Sequence, residues 1–528
     1  MFPSAASRRV KISNFKDAPT IAPAVQAVIQ RLLLTLILAL AGCASLPKSV
    51  EKPVSSAIPI SADSSLSRLV AASTTGKNLS GVRLLSSGEE AFATLITLAD
   101  EAERSIDIQQ YIIEQDDSAR AILRHVRAAA ARGVRVRILI DDLNTAGMDR
   151  RNMRLSEQPN LEVRVFNPFP AGRLSLWTRF VFSATEIPRI NHRMHNKLFV
   201  VDNALAVMGG RNIADQYFVR SNDSNFVDLD VIAAGPIVPQ LSSQFDAFWN
   251  SRFAYPIASL AAAVDKSAAA PPMTEAASVP EAQLLEADIK AGKLELLWSP
   301  AAVLADVPAK IAGESDPNKA EPIADSIADL MTTANEEVTV ISPYFIPGKK
   351  GVELMRSLTD RGVRVRVLTN SLATTDSPLV HIGYSRYRRD LLKAGVELHE
   401  LRAVLGQKKE RFHPFRSSHA SLHAKSLVID HKTVFIGSMN MDARSARTNS
   451  EMGVVIRNAT LARQVDSLFD DVVSDGSYFL ELPPGSNSIQ WSAGEGDTRH
   501  VWKKDPDTSV LRRLGIKLLA PLAADDLL

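Results

Sequence analysis

The chain of 528 residues holds one cysteine, so no disulfide can form within it and a cysteine-ligated zinc site is excluded. Net charge is scarce as well: 61 Lys and Arg against 59 Asp and Glu leave +2. Such a chain lacks the basic footprint of a nucleic-acid binder, which argues against that partner. Long apolar runs are also missing. The run Leu32–Leu40 falls well short of the ~20 residues that span a bilayer as a helix. What is present is an ordinary globular balance, 45% hydrophobic and 23% charged. The length suggests roughly two to four domains.

The lone cysteine has a telling position. Arg31 precedes the short apolar run, and Leu40-Ala41-Gly42-Cys43 follows it. A basic flank, a short apolar core and small residues fit a secretory signal. Leu-Ala-Gly-Cys resembles the bacterial lipoprotein box, which implies that residues 1–43 are a signal segment and that Cys43 is the lipidated residue. Each buried CH2 of an acyl chain adds about 0.8 kcal/mol to anchoring. The expected location is the cell envelope, with a periplasm-facing protein held on a membrane. Residues 44–80, rich in Ser, Ala and Pro, read as a tether.

The chemistry concentrates in Ser421–Asp442, SLHAKSLVIDHKTVFIGSMNMD. His423, Lys425 and Asp430 stand at H-x-K-x4-D spacing, followed by Gly437, Ser438 and Asn440. On a strand, His423 and Lys425 point to one face, and Asp430-His431-Lys432 reads as a hairpin turn. An imidazole, an ammonium and an amide on one surface suit a phosphate. A second copy carries His195, Lys197, Asp202, Gly209, Gly210 and Asn212. The offset is a constant 228 residues, from 195 to 423, 202 to 430 and 212 to 440. RGVRVR at 132–137 also recurs at 361–366, so the scaffold is duplicated along with the motif.

The paired motifs resemble the phospholipase D superfamily in its two-motif form, over roughly residues 80–480. Four stretches are similar to the bacterial cardiolipin synthases of the C type: 105–112, 133–145, 370–401 and 437–451. The resemblance implies an α/β fold of two duplicated α-β-α domains, with mixed sheets flanked by helices. It packs them pseudo-symmetrically around one active site. Alternating strand and helix signals from Val82 onward agree with this class. The expected domains are 81–254 and 294–485, joined by an Ala/Pro-rich linker at 255–293. The extension 486–528 carries TSVLRRLGIKLLAPL at 508–522. That stretch fits either an interfacial helix or an ordinary packed terminal one.

Two histidines can exchange a phosphodiester without metal, one attacking phosphorus and the other protonating the leaving alkoxide. By analogy His195 is the nucleophile and His423 the general acid. The lysines, with Asn212 and Asn440, hold the non-bridging oxygens. Asp228 and Glu451 are the orienting carboxylates that the resemblance implies, ahead of Asp230. Asp202 and Asp430 belong to the catalytic motif but are expected at turns. No cofactor and no metal are expected. His381 reads as a lining of the acceptor pocket or as a packed helix residue. His413 and His419 read as part of a basic loop near the site. Arg211 either adds a cation near the phosphate or faces solvent. The leading function is a cardiolipin-forming phosphatidyltransferase acting as a monomer on phosphatidylglycerol, with phosphatidylethanolamine or phosphatidylglycerol as donor. A phospholipase D-type hydrolase or an exported nuclease of the same superfamily is the alternative.

Overall fold

A computed structural model describes residues 45–76, 78–261, 280–312, 322–403, 420–494 and 498–522. Cys43 and the leader, His413 and His419 lie outside the described residues.

Two large mixed sheets carry the chain, one of nine strands and one of ten. Six strands recur in both in the same order. In the first sheet these are Asp230–Ala234, Leu205–Gly209, Leu198–Val201, Ser105–Gln110, Arg135–Asp141 and Leu161–Phe166. In the second they are Met452–Arg457, Thr433–Gly437, Ser426–Ile429, Glu337–Ile341, Arg364–Asn370 and Glu397–Leu401. The last three of each set run parallel and are joined by helices such as Asp117–Ala131 and Gly348–Asp360, as parallel crossovers require. The parallel strands are buried on both faces, although charged residues such as Arg137 and Arg366 alternate with the apolar ones.

The two halves are not independent bodies. One apolar core contains Leu198, Val231 and Leu241 of the first half together with Ile436, Val454 and Phe469 of the second. A small third sheet pairs Asn225–Val227 in parallel with Ala420–Leu422, one strand from each half. Sequence periodicity suggests one strand over Phe226–Ala233. The structure breaks it in two, because its first part joins the other half and its second part the home sheet.

Three boundaries differ from the sequence expectation. The Ser/Ala/Pro-rich segment after residue 44 is docked along the first domain. Buried Arg137 donates to the Ser55 carbonyl, Arg164 to the Pro53 carbonyl, and Ala57 N–H to Asp246. Those arginines lie inside the sheet and need acceptors; the extended segment supplies them. The helix Ser65–Ser73 then buries Leu66, Leu69 and Val70.

The expected linker likewise contains the helix Pro280–Lys290, which packs Leu285 and Ile289 into the first core. The domain change itself falls at Pro300: Leu297–Ser299 pairs in the first sheet and Ala301–Ala305 in the second. Finally, Gln490–Ala493 and His500–Trp502 extend the second sheet, so the C-terminal extension is partly domain. No helix among the described residues is long and apolar enough to cross a membrane.

Candidate active site

Each motif enters its sheet one residue after the lysine. His195, Asn196 and Lys197 precede the strand Leu198–Val201; His423, Ala424 and Lys425 precede Ser426–Ile429. The backbone of each histidine is therefore free of its home ladder and is held from elsewhere. Asp141, at the end of one duplicated strand, accepts from Met194 N–H at 2.9 Å. Asn370, at the end of the other, both donates to the Leu422 carbonyl and accepts from Leu422 N–H, each at 2.9 Å. Thus an equivalent strand end positions the residue before each histidine.

The remaining contacts come from the opposite half. His195 N–H donates to the Ser450 carbonyl at 2.9 Å, and Ser450 N–H to the Arg193 carbonyl. His423 and Ala424 N–H both donate to the Val227 carbonyl. The side chains follow suit. His195 Nδ1 lies 2.9 Å from Glu451 of the second half. His423 Nδ1 lies 2.5 Å from Asp228 of the first. Both carboxylates are buried. The two residues that the sequence suggests as orienters are those that touch the histidines, and the pairing crosses over. Asp230 instead pairs with Arg211.

Electrostatics tie the histidines into one site. Burial pushes His195 down to about 4, with Lys197 and Lys425 adding to the depression and Glu451 opposing it. His423 is pushed down to about 3 by burial and by Lys425, against the pull of Asp228. Each histidine thus feels the lysine of both motifs. Lys197 is lowered to about 7 and Lys425 to about 8, chiefly by desolvation. Asp228 is held down at about 2 by His423 and the nearby cations. Lys197 donates to the His195 carbonyl at 2.7 Å, and Lys425 to that of His423.

The amide pair is not equivalent. Asn212 accepts from Ile112 N–H and donates to Tyr217 Oη at 2.7 Å. Asn440 has its backbone N–H on Ser445 Oγ. Aromatic rings that the motifs do not reveal stand edge-on to the imidazoles: Tyr111 to His195 at 4.9 Å and Tyr217 to His423 at 5.0 Å. Tyr111 ends the SIDIQQY stretch, and its place one residue beyond a buried strand is the only sequence hint.

The carboxylates also differ in their support. Ser438 and Ser445 both donate hydroxyl hydrogens to Glu451. At the matching position Gly210 leaves space: a Cβ there would stand 2.1 Å from Asp228 Oδ1. Arg211 does not face solvent: its guanidinium is paired with Asp230. It is buried and donates to the Leu85, Tyr217 and Asp228 carbonyls.

Asp202 and Asp430, grouped with the catalytic motif, are turn residues. Both adopt positive φ, 52° and 50°, in a region that Asp tolerates better than most residues. Asp202 accepts the N–H groups of Glu103, Arg104 and Ser105. Asp430 accepts those of Asn335, Glu336 and Glu337. Each pins the start of a central strand. His381 is buried against Arg388 and Asp505, a packed helix residue inside a polar cluster.

A family model described as "Cardiolipin synthase, PLD-like domain" matches residues 95–249 and 327–473. The chain is 37% identical over 453 residues to cardiolipin synthase C of Escherichia coli (strain K12), covering 83% of this chain and 94% of that one. It is 24% identical over 416 residues to a cardiolipin synthase of Staphylococcus aureus (strain Mu50), covering 79% and 72%. Among solved structures, phosphatidylserine synthase of Haemophilus influenzae Rd KW20 shares the fold. The TM-score is 0.54 at 15% identity, covering 87% of this chain and 99% of that one.

Proposed function

This chain belongs to the cardiolipin synthase family of phospholipase D-like proteins, and from that premise we propose that it moves a phosphatidyl group through a phosphohistidine to phosphatidylglycerol, making cardiolipin. The observation that carries the mechanism is the carboxylate on each Nδ1. A hydrogen held there leaves the lone pair on Nε2. With both imidazoles depressed, both are neutral in the empty site at neutral pH. An anionic phosphodiester offsets Lys197 and Lys425 and lets one imidazole regain a proton.

His195 Nε2 then attacks phosphorus, the bond to the donor's headgroup oxygen breaks, and His423 gives that oxygen its proton. In the second step His423 takes a proton from a hydroxyl of phosphatidylglycerol. The new oxygen–phosphorus bond forms as the nitrogen–phosphorus bond breaks. Lys197, Lys425, Asn212 and Asn440 stabilise the charged oxygens, each donor being worth ~3–4 kcal/mol in the barrier. The donor is phosphatidylethanolamine or a second phosphatidylglycerol. The setting is a bacterial envelope membrane, with a monomer anchored through Cys43.

The test is mass spectrometry of vesicles of phosphatidylglycerol and phosphatidylethanolamine incubated with protein, with His195→Ala and His423→Ala as controls. Cardiolipin with ethanolamine, absent from both variants, supports the reading and its donor. Cardiolipin with glycerol assigns phosphatidylglycerol as donor. Phosphatidic acid alone overturns transfer in favour of hydrolysis.

A further inference from the structure

Two stretches of this chain expose large apolar side chains, one between Leu161–Phe166 and the first motif and the other after the last strand of the second sheet. In the first half Leu174 is 87% and Trp177 80% exposed, with Phe180 one turn on. At the C-terminus the helix Val510–Leu519 exposes Leu511 and Leu518 at 80% each, with Leu514 between them. The spacing 511, 514, 518 places these leucines in one stripe. The opposite side of that helix is docked: Ile516 packs against the third core and Arg386 donates to the Ala520 carbonyl.

Both elements are fixed to the loop that leaves a duplicated strand toward the catalytic centre. In the first half Arg179, within the Leu176–Phe182 helix, donates to the carbonyls of Asp142 and Leu143 and to Thr145 Oγ1. That loop carries Asn144, hydrogen-bonded to the Tyr111 that stands against His195. In the second half Arg512 donates to the Thr375 carbonyl. The next residue, Asp376, accepts from Tyr344 Oη at 2.8 Å and acts on Lys425. The strands concerned, Arg135–Asp141 and Arg364–Asn370, occupy matching positions in their sheets. Ligands of such sheets are approached from the carboxyl ends of the parallel strands.

We infer that Leu174–Phe180 and the Leu511–Leu518 stripe form one bilayer-docking surface that straddles the active site. The inference rests on the lipid-transferase reading for its purpose, though not for its geometry. A lipid bilayer with anionic headgroups is the occupant, for two reasons. The terminal helix carries Arg512, Arg513 and Lys517 beside its leucines, with no acidic residue from Thr508 to Leu522, which complements an anionic surface. The other element offers a tryptophan, whose ring suits the headgroup boundary. A bilayer also accounts for apolar groups on both flanks of one site: lipids reach the histidines only if the surface around them sits on the membrane.

The test is tryptophan fluorescence of the full chain with vesicles containing bromine-labelled phospholipids. Phosphatidylglycerol/phosphatidylethanolamine vesicles are compared with pure phosphatidylcholine. Quenching should appear with the anionic vesicles and vanish in Trp177→Phe. In that background Leu518→Trp should restore quenching. Trp177→Ala with Leu518→Asp should lower turnover of vesicle lipid by at least ~tenfold, while turnover of monomeric short-chain lipid holds. Unquenched Trp177 overturns the inference, as does quenching that Leu518→Trp fails to restore. So does concentration-dependent self-association that shields Trp177 without vesicles, which would assign the surface to a second copy. Quenching without any lipid turnover would leave the docking surface standing and sink the transferase reading instead.

Discussion

Glu451 accepts the Nδ1 hydrogen of His195, although the two residues stand 256 positions apart and on opposite halves. Asp228 stands likewise against Nδ1 of His423, across 195 positions, and Lys425 Nζ lies beside the same nitrogen. Glu451→Gln should therefore disable the first-half histidine and Asp228→Asn the second. Each variant should lose roughly 10²–10⁴-fold in kcat with little change in thermal midpoint. If rapid quenching traps a phosphohistidine, Asp228→Asn should slow departure of the headgroup. Glu451→Gln should abolish the adduct. An adduct that persists in Glu451→Gln and is lost in Asp228→Asn would reverse the roles of the two histidines.

Gly210 and Ser438 occupy matching positions but support their carboxylates differently. Gly210→Ala would place a methyl carbon on Asp228 and push it from His423. Activity should fall by at least ~100-fold, as for loss of the carboxylate itself. Ser438→Ala removes one of two hydroxyl donors on Glu451 and should cost about tenfold or less. Steady-state rates of the purified variants rank them; the reverse ranking would refute this account.

The turn aspartates should report on folding. Asp202→Ala strands three N–H groups beside a buried carboxylate site and should cost about 2–4 kcal/mol. Asp430 makes the same bonds at a more exposed turn, so its replacement should cost less. Denaturant midpoints give the order. Both variants should keep near-native kcat in their folded fraction, and a specific loss of kcat would return these residues to the chemistry.

The depressed histidines set a pH dependence of stability. Their folded values of about 4 and about 3 lie below the ordinary ~6.5 of an unfolded chain. The unfolded state therefore binds more protons as pH falls from ~6.5 toward 4 and 3, and folding is weakened across that window. Asp228, held at about 2, loses its contribution only below the unfolded ~3.9. A double His195→Asn, His423→Asn variant should flatten the slope of melting temperature between pH 6.5 and 4. An unchanged slope would show that other groups govern it.

The motifs were legible because their information is local. His195, Lys197 and Asn212, with their counterparts, fall within short stretches whose spacing survives duplication, and the hairpin at Asp430 follows from its turn residues. Asp228 and Glu451 could be nominated as carboxylates, but no sequence separation reveals that each serves the other half. The docked segment around Ser55 escaped for a similar reason. Its composition is that of a linker, and only the buried Arg137 and Arg164 explain why its backbone is held. Tyr111 and Tyr217 gave almost no signal, since an aromatic beside a strand end is usually core.

The crossed carboxylates have a bearing on how the protein is made. A ribosome releases His195 long before Glu451, so the growing chain carries a histidine without its partner through much of synthesis. On the proposed mechanism His195 becomes competent only when Glu451, at the head of the strand Met452–Arg457, closes on the first half. By the same mechanism, products truncated before Glu451 lack the partner of His195 and would be inactive toward phosphodiesters.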